Sequence, residues 1–351
     1  MSGELRVGIA GFGLAGRVFH APLIAATDGL SIAGIVTRDP ERRAQAQVAH
    51  PEAVVVASVD ELWDDIDVLV VATTNDAHVP LAMQALDRDL AVVVDKPLSL
   101  SAAAAEELVA RGGRLTVYQN RRWDGDFLTV RAAAESGELG ELIRFESRFD
   151  RFVPVVRRER WRESGDPALG GGLLIDFGAH LVDQALLIGG PVRRVYAELD
   201  ARRPEAVVED DVYVSLEHVG GLRSQLWASS TAPLHRPRFR LTGLTAGIVT
   251  YGWDPQWEQL TGGTAPGDPG YGAAPPAQIA DARGRRDVAM QPGAYQDFYA
   301  GVVAWLRDDA PAPVDPADSL AGLRVLDAAR EAAATATVVD LAAAAGIRTV
   351  A

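Results

Sequence analysis

The stretch "LRVGIAGFGLAG", residues 5–16, decides how this chain folds. An apolar strand-like run, 5–10, leads directly into Gly11, Gly13 and Gly16 in G-x-G-x-x-G spacing, and a helical segment follows over about 15–26. Each glycine has a mechanical task. Gly11 permits a tight turn, Gly13 lets the backbone approach a pyrophosphate, and Gly16 lets helix and strand pack closely. The helix start adds unpaired N–H groups and a partial positive charge. At the first strand-to-helix turn of an alternating chain, this spacing predicts a dinucleotide site.

The alternation continues outward. Further strands read at 31–36, 53–58, 67–73, 90–95 and 114–120, with helices from 39 onward, over 76–87 and over 101–111. Asp39 can cap its helix and Pro40 suits the first turn. Near-continuous Val/Ile/Leu strands separated by helices indicate a parallel sheet covered on both faces, the doubly wound Rossmann arrangement. Past residue 122 the pattern changes. A long helix reads at 173–188, closed by Gly189 and Gly190, and strands follow at 139–150, 192–203, 211–219, 222–230, 236–243 and 247–251. Several alternate polar and apolar residues, as half-buried antiparallel strands do. Residues 252–293 are rich in Gly and Pro and read as a long loop without clear elements. Helices close the chain at 294–308 and 318–336.

The expected fold class is therefore α/β: an N-terminal Rossmann NAD(P)-binding domain over 1–120, then an α+β domain over 121–351 with an open, mainly antiparallel sheet. The second domain would bind substrate and mediate oligomerisation, and its last helices could pack back on the first.

With 351 residues, 48% of them hydrophobic, the chain can bury cores for two domains. It has no cysteine, which excludes disulfides and thiolate metal sites. The six histidines are scattered without a metal-ligand spacing, so no metal is expected. The start shows no basic segment followed by an apolar core, and no apolar run reaches the roughly 20 residues of a membrane span. A cytoplasmic protein is the expectation. A net charge of −14 argues against nucleic acid or an anionic membrane as partner, and says little about a small substrate.

The end of the second strand indicates which cofactor is used. An NAD site would place Asp or Glu there to hold the ribose 2′-hydroxyl. This chain has Thr37 and Arg38, a hydroxyl and a guanidinium suited to a 2′-phosphate, and Asp39 reads better as the helix cap. NADP is expected, with NAD as the alternative. "VATTNDAH", 71–78, follows the fourth strand at the carboxyl edge, where ligands of such sheets bind. Asn75 or Asp76 there would also cap the next helix. The expected cofactor surface comprises Gly11, Phe12, Gly13, Leu14, Ala15 and Gly16 of the turn; Thr37 and Arg38; Thr73, Thr74, Asn75 and His78; and Asp95, Lys96 and Pro97.

Of 34 basic residues, one is lysine: Lys96, in "VVVDKPLSL" at the end of the fifth strand. An ammonium is a compact donor whose pKa burial can lower, whereas a guanidinium stays charged. A second cluster, "GGGLLIDFGAHLVDQAL" at 170–186, places Asp176 and His180 at i and i+4 on an apolar helix. A carboxylate and an imidazole on so apolar a face need partners, in a site or in each other.

"GFGLAG", "DKP" and "GGLLIDFGAHLVDQ" resemble the glucose–fructose oxidoreductase/inositol dehydrogenase (Gfo/Idh/MocA) family across nearly the whole chain. "RVFHAPLI", "YQNRRWDGDFLTV", "WDPQWEQL" and "PGDPGYG" look most like its NADP-type scyllo-inositol dehydrogenase branch. The family's usual Glu-Lys-Pro stands here as Asp-Lys-Pro. The resemblance implies a Lys, an Asp and a His at the reacting carbon, matching Lys96, Asp176 and His180, and it implies dimers or tetramers. It suggests Asn120 and Arg121 near the substrate, with Arg122 or Trp123 as alternatives; Trp123 is carried with the substrate residues, as are Asp176 and His180. The activity expected is NADP(H)-dependent hydride transfer at a CH–OH carbon of a sugar or cyclic polyol. His180 would be the general base, Lys96 a donor to the developing alkoxide, and Asp176 would orient His180 and hold a neighbouring hydroxyl. Whether Lys96 or His180 takes the proton stays open. So do two other readings: a non-catalytic dinucleotide-binding sensor, and a reductase of a non-sugar C=O, C=N or C=C substrate.

Overall fold

The computed structural model describes residues 3–166 and 168–341. Met1, Ser2, Pro167 and 342–351, the last assigned above to the second domain, lie outside the described residues.

The first half builds the expected parallel sheet. β1 (Leu5–Ala10), β2 (Leu30–Val36), β3 (Val54–Val56), β4 (Val68–Val71), β5 (Ala91–Asp95) and β6 (Leu115–Tyr118) lie in the order β3-β2-β1-β4-β5-β6. All five pairings are parallel. β4 is buried at every position, as an uninterrupted Val/Leu run between two helical layers must be. The connecting helices are α1 (Ala21–Ala25), α2 (Pro40–Ala49), α3 (His78–Leu86) and α4 (Ala102–Arg111). Asp39 caps α2 by accepting from the Arg42 amide at 2.9 Å, and Ser101 caps α4. Before α3 the expectation fails. The cap position of α3 is Ala77 and that of the 3-10 turn before it, Asn75–Ala77, is Thr74; neither caps with a side chain, and Asn75 turns its amide away to the Leu169 carbonyl at 2.7 Å.

α5 (Gly125–Glu135) leads into the second sheet. Its strands are β7 (Leu142–Asp150), β8 (Val192–Asp200), β9 (Asp211–His218), β10 (Arg223–Ser229), β11 (Phe239–Gly243), β12 (Ala246–Thr250), β13 (Ala277–Asp281), β14 (Gly284–Val288) and β15 (Val339–Asp340). The order is β14-β13-β12-β11-β7-β10-β9-β8-β15, antiparallel except for the parallel pair β7/β10. α6 (Ala179–Gly189) packs on β10 and β7, so the helical layer covers the middle of the sheet. The stretch 252–293 is not element-free. It holds α7 (Gln256–Thr261) and the hairpin β13/β14, whose tight Ala282–Arg283 turn and short strands were hidden by the surrounding Gly and Pro.

Two long C-terminal helices, α8 (Gln296–Asp308) and α9 (Pro316–Thr335), tie the halves together. α9 packs on β8 and α6 and also on α4 and β6. On the first half, Asp327 accepts from the Ala102 amide at 2.8 Å, and Thr116 donates to the Val314 carbonyl at 2.8 Å. No described helix is long and apolar enough to cross a membrane.

Candidate active site

Two of the helices at the cleft between the two sheets begin with a π turn. One spans Ala15–His20 ahead of α1 and the other Leu174–Gly178 ahead of α6. Such i→i+5 turns widen the helix and re-aim side chains, and they concentrate at functional sites. The cleft has a volume of about 1370 Å³, above the usual range for one small ligand and suited to a dinucleotide plus substrate.

At one end lies the glycine turn. Gly11 has φ +102°, and a Cβ there would stand 2.5 Å from the Ala72 carbonyl oxygen. A Cβ on Gly16 would stand 2.1 Å from the Gly11 carbonyl oxygen. Both must be glycine for the chain to close. Gly13 differs: a Cβ there would meet nothing nearer than Arg42 Nη1 at 3.9 Å, so its missing side chain leaves open cleft. The amides of Gly13, Leu14 and Ala15 have no acceptor among the described residues. Free amides at a helix start, beside an open glycine, fit a pyrophosphate. Thr37 and Arg38 line the same end, with Arg38 Nε 3.4 Å from the Ala57 carbonyl. Asp39 lines it too, with its carboxylate engaged as the α2 cap.

Thr73, Thr74, Asn75 and His78 line the middle. Burial holds His78 below its ordinary pKa, and its Nδ1 lies 2.8 Å from the Pro97 carbonyl. Asp95 accepts from the Lys96 amide at 2.8 Å. Burial opposes its charge, yet neighbouring His20, Lys96 and His78 hold its carboxyl below the usual range.

The far end gathers the expected trio. Lys96 Nζ donates to the Asp176 carbonyl at 2.7 Å and to its Oδ1 at 3.2 Å. Arg162 Nε donates to Asp176 Oδ2 at 2.9 Å. An isolated buried carboxylate would cost several kcal/mol to desolvate. Here burial is outweighed by Arg162, Lys96 and Arg151, which keep Asp176 ionised well below the usual carboxylate range. Burial lowers Lys96 from 10.5 while Asp176 opposes the shift. His180 lines the cleft at 5% exposure, and burial, then the charges of Lys96 and Arg121, hold it well below 6.5.

Asp176 does not orient His180. Its two oxygens serve Lys96 and Arg162, and His180 Nδ1 has no partner among the described residues. The π turn is the physical reason: it rotates the i,i+4 pair off a common line.

Asn120 and Arg121 line the cleft, and Arg121 pairs with Asp124 at 3.0 Å. Three expected residues do not line it. Trp123 packs edge-on against Phe298 at 5.5 Å. Gly16 packs under the turn, and Pro97 offers its carbonyl to His78. Arg122 serves structure, bridging Asp183 of α6 at 2.6 Å and Asp318 of α9 at 3.1 Å.

Sequence reasoning missed Arg151, Trp161 and Arg162, which line the cleft from the segment after β7, and Trp257 of α7. The available signal was five arginines within 151–162 of an otherwise acidic chain.

A two-sheet fold with a glycine-turn cleft and a lysine–aspartate–histidine cluster at its far end defines a Rossmann-domain oxidoreductase. Comparison with known proteins agrees. The family profile "Oxidoreductase family, NAD-binding Rossmann fold" matches residues 5–117, and "GFO/IDH/MocA C-terminal domain" matches 127–249. The chain belongs to the Gfo/Idh/MocA oxidoreductase family. It is 36% identical to the uncharacterized oxidoreductase YdgJ of Escherichia coli, over 95% of this chain and 97% of that one. It is 31% identical to the scyllo-inositol 2-dehydrogenase (NADP(+)) IolW of Bacillus subtilis, over 93% of each chain. The solved structure of an oxidoreductase from Bacillus cereus superposes with a TM-score of 0.85 at 26% identity, covering 97% of this chain and 99% of that one.

Proposed function

We propose that this oxidoreductase uses NADP(H) to interconvert a CH–OH group and a carbonyl on a sugar or cyclic polyol. The observation that carries the proposal is that Lys96, bonded to Asp176, and His180 both line the cleft that the glycine turn opens.

The nicotinamide, when bound, supplies the hydride acceptor or donor. This chain's own residues manage the proton and the oxygen. His180 is neutral at neutral pH and takes the hydroxyl proton, returning it in the reverse direction. Lys96, held as an ammonium by Asp176, donates to the oxygen as it gains negative charge. Asp176 fixes Lys96 from two oxygens, and burial of the group keeps water away. Asn120 and Arg121 face the substrate from the turn after β6.

The preference for NADP rests on Arg38 at the tip of β2 and on Asp39, whose capping bond removes the carboxylate that would hold a ribose 2′-hydroxyl. Arg42 lines the same end of the cleft as a second cation. The relative IolW, named an NADP(+) enzyme acting on scyllo-inositol, supports both the cofactor and the substrate class.

The test follows reduced-nicotinamide absorbance with NADP+ or NAD+ over a panel of polyols and aldoses. Turnover with at least one, faster with NADP+, is expected. Tight NADPH binding without turnover on any hydroxyl or carbonyl substrate contradicts the proposal and favours a sensor.

A further inference from the structure

The chain carries a net charge of −14, yet the substrate end of its cleft is cationic. Lys96 and Arg162 bond one carboxylate, Asp176, and Arg151, which lies over the adjacent Phe177 ring, adds a third positive charge. The other acids nearby are already engaged. Asp95 accepts from the Lys96 amide and faces His20 at 3.9 Å. Asp124 is closed over Arg121 and accepts from Tyr295 at 2.7 Å. Glu163, which faces Arg151, pairs with Arg203 at 2.7 Å. Glu159 lines the cleft from an exposed position, and so does Arg160 beside it.

Arg151 is the residue this arrangement leaves unmatched. It follows β7 directly, lies over the Phe177 ring at 5.0 Å and donates to Ser230 Oγ at 3.2 Å. It forms no ion pair with a carboxylate among the described residues. A half-buried guanidinium with one neutral hydroxyl partner retains donors for a bidentate anion. Its place beside Phe177 sets it on the second-sheet wall next to Asp176, across the cleft from the glycine turn that fits the pyrophosphate.

We propose that the substrate is a polyol or aldose bearing an anionic group, a carboxylate or a phosphate, and that Arg151 holds this group with Arg162 beside it. This rests on the oxidoreductase reading above and narrows its substrate. A site built to receive a charge discriminates strongly against the analogue lacking it, because its own cation is then left unpaired.

The experiment measures kcat/KM of the full chain with NADP+ on matched sets: a neutral polyol or aldose, the corresponding aldonate or uronate, and the corresponding sugar phosphate. The expected preference for one anionic form over its neutral parent is about tenfold or more. Whichever arm shows it identifies the anion. The preference should shrink as salt is raised from 0.05 to about 0.5 M, since screening weakens charge attraction. Arg151→Gln should collapse the ratio of anionic to neutral kcat/KM, and Arg151→Lys should keep much of it. If Arg151→Gln does not fold, the wild-type preference, its salt dependence and the Lys variant still decide. Equal or better use of neutral substrates overturns the inference while leaving the oxidoreductase reading intact. A higher KM for NADP+ in Arg151→Gln with an unchanged preference also overturns it, making Arg151 a cofactor residue. Failure of every substrate removes both.

Discussion

Lys96 and Asp176, 80 residues apart, are joined twice: the ammonium meets the backbone carbonyl at 2.7 Å and Oδ1 at 3.2 Å. Lys96 directly follows β5 of the parallel sheet, and Asp176 sits in the π turn ahead of α6, over the second sheet. The pair thus couples the two halves at the point where the cleft ends. Burial works against each charge, and each supports the other. Burial lowers Lys96 while Asp176 opposes that shift, and burial and nearby cations hold His180 well below its ordinary value, so the proposed roles are an ammonium donor and a neutral proton acceptor.

The pH profile follows with a definite sign. Alcohol oxidation needs His180 unprotonated, and its pKa lies well below 6.5, so the acid limb of kcat/KM should fall below pH 6.5. It also needs Lys96 charged, and burial lowers that group from 10.5, so the alkaline limb should lie below pH 10.5. A plateau through neutrality is expected. An acid limb at or above pH 7, retained in His180→Gln, would assign the proton to another group.

Arg38 should govern the cofactor. A charge-assisted contact to a phosphate contributes about 1.5–3 kcal/mol, so Arg38→Ala should raise the KM for NADP+ by about 10- to 100-fold. The KM for NAD+ should change by less than about threefold, since that cofactor lacks the 2′-phosphate. Equal effects on both would place Arg38 on the adenine instead.

Gly13 and Gly16 should separate ligand from packing. Gly13→Ala adds a methyl into open cleft, so thermal stability should hold while NADPH affinity falls. Gly16→Ala drives Cβ to 2.1 Å from the Gly11 carbonyl, so Tm itself should drop. Thermal scans with and without NADPH distinguish the two, and identical behaviour would refute the assignment.

Arg122 and Arg121 are neighbours with different tasks. Arg122 links α6 to α9 through Asp183 and Asp318, and breaking a buried pair of this kind costs about 3–5 kcal/mol. Arg122→Met should lower Tm by about 10 °C with little change in substrate KM. Arg121→Met should raise substrate KM. The reverse pattern would exchange their roles.

How much of this was legible in the chain depends on how local each feature is. The glycine turn, the Asp39 cap and the buried β4 run are written in consecutive residues, so spacing discloses them. Lys96 stood out because arginine fills every other basic position. The hairpin β13/β14 stayed hidden because its strands are five residues each, amid turn-forming Gly and Pro. The parallel β7/β10 pair is not local, since 72 residues separate Asp150 from Arg223. The same holds for the bond from Asn75 to Leu169, which displaced the expected cap, and for Arg162 reaching Asp176. Helical spacing put Asp176 under His180, and only the π turn shows why they part. Trp123 lies two residues past the cleft residue Arg121, and it packs instead against Phe298, 175 residues on.

The most direct test of the whole account is Lys96→Met, assayed for NADPH affinity by fluorescence titration and for single-turnover formation of reduced nicotinamide on a polyol the wild type uses. The expected result is affinity within about threefold of wild type and a chemical step slowed by at least about a thousandfold. A variant that reacts at the wild-type rate, or that loses cofactor binding in step with turnover, would show that this ammonium does not act at the reacting carbon.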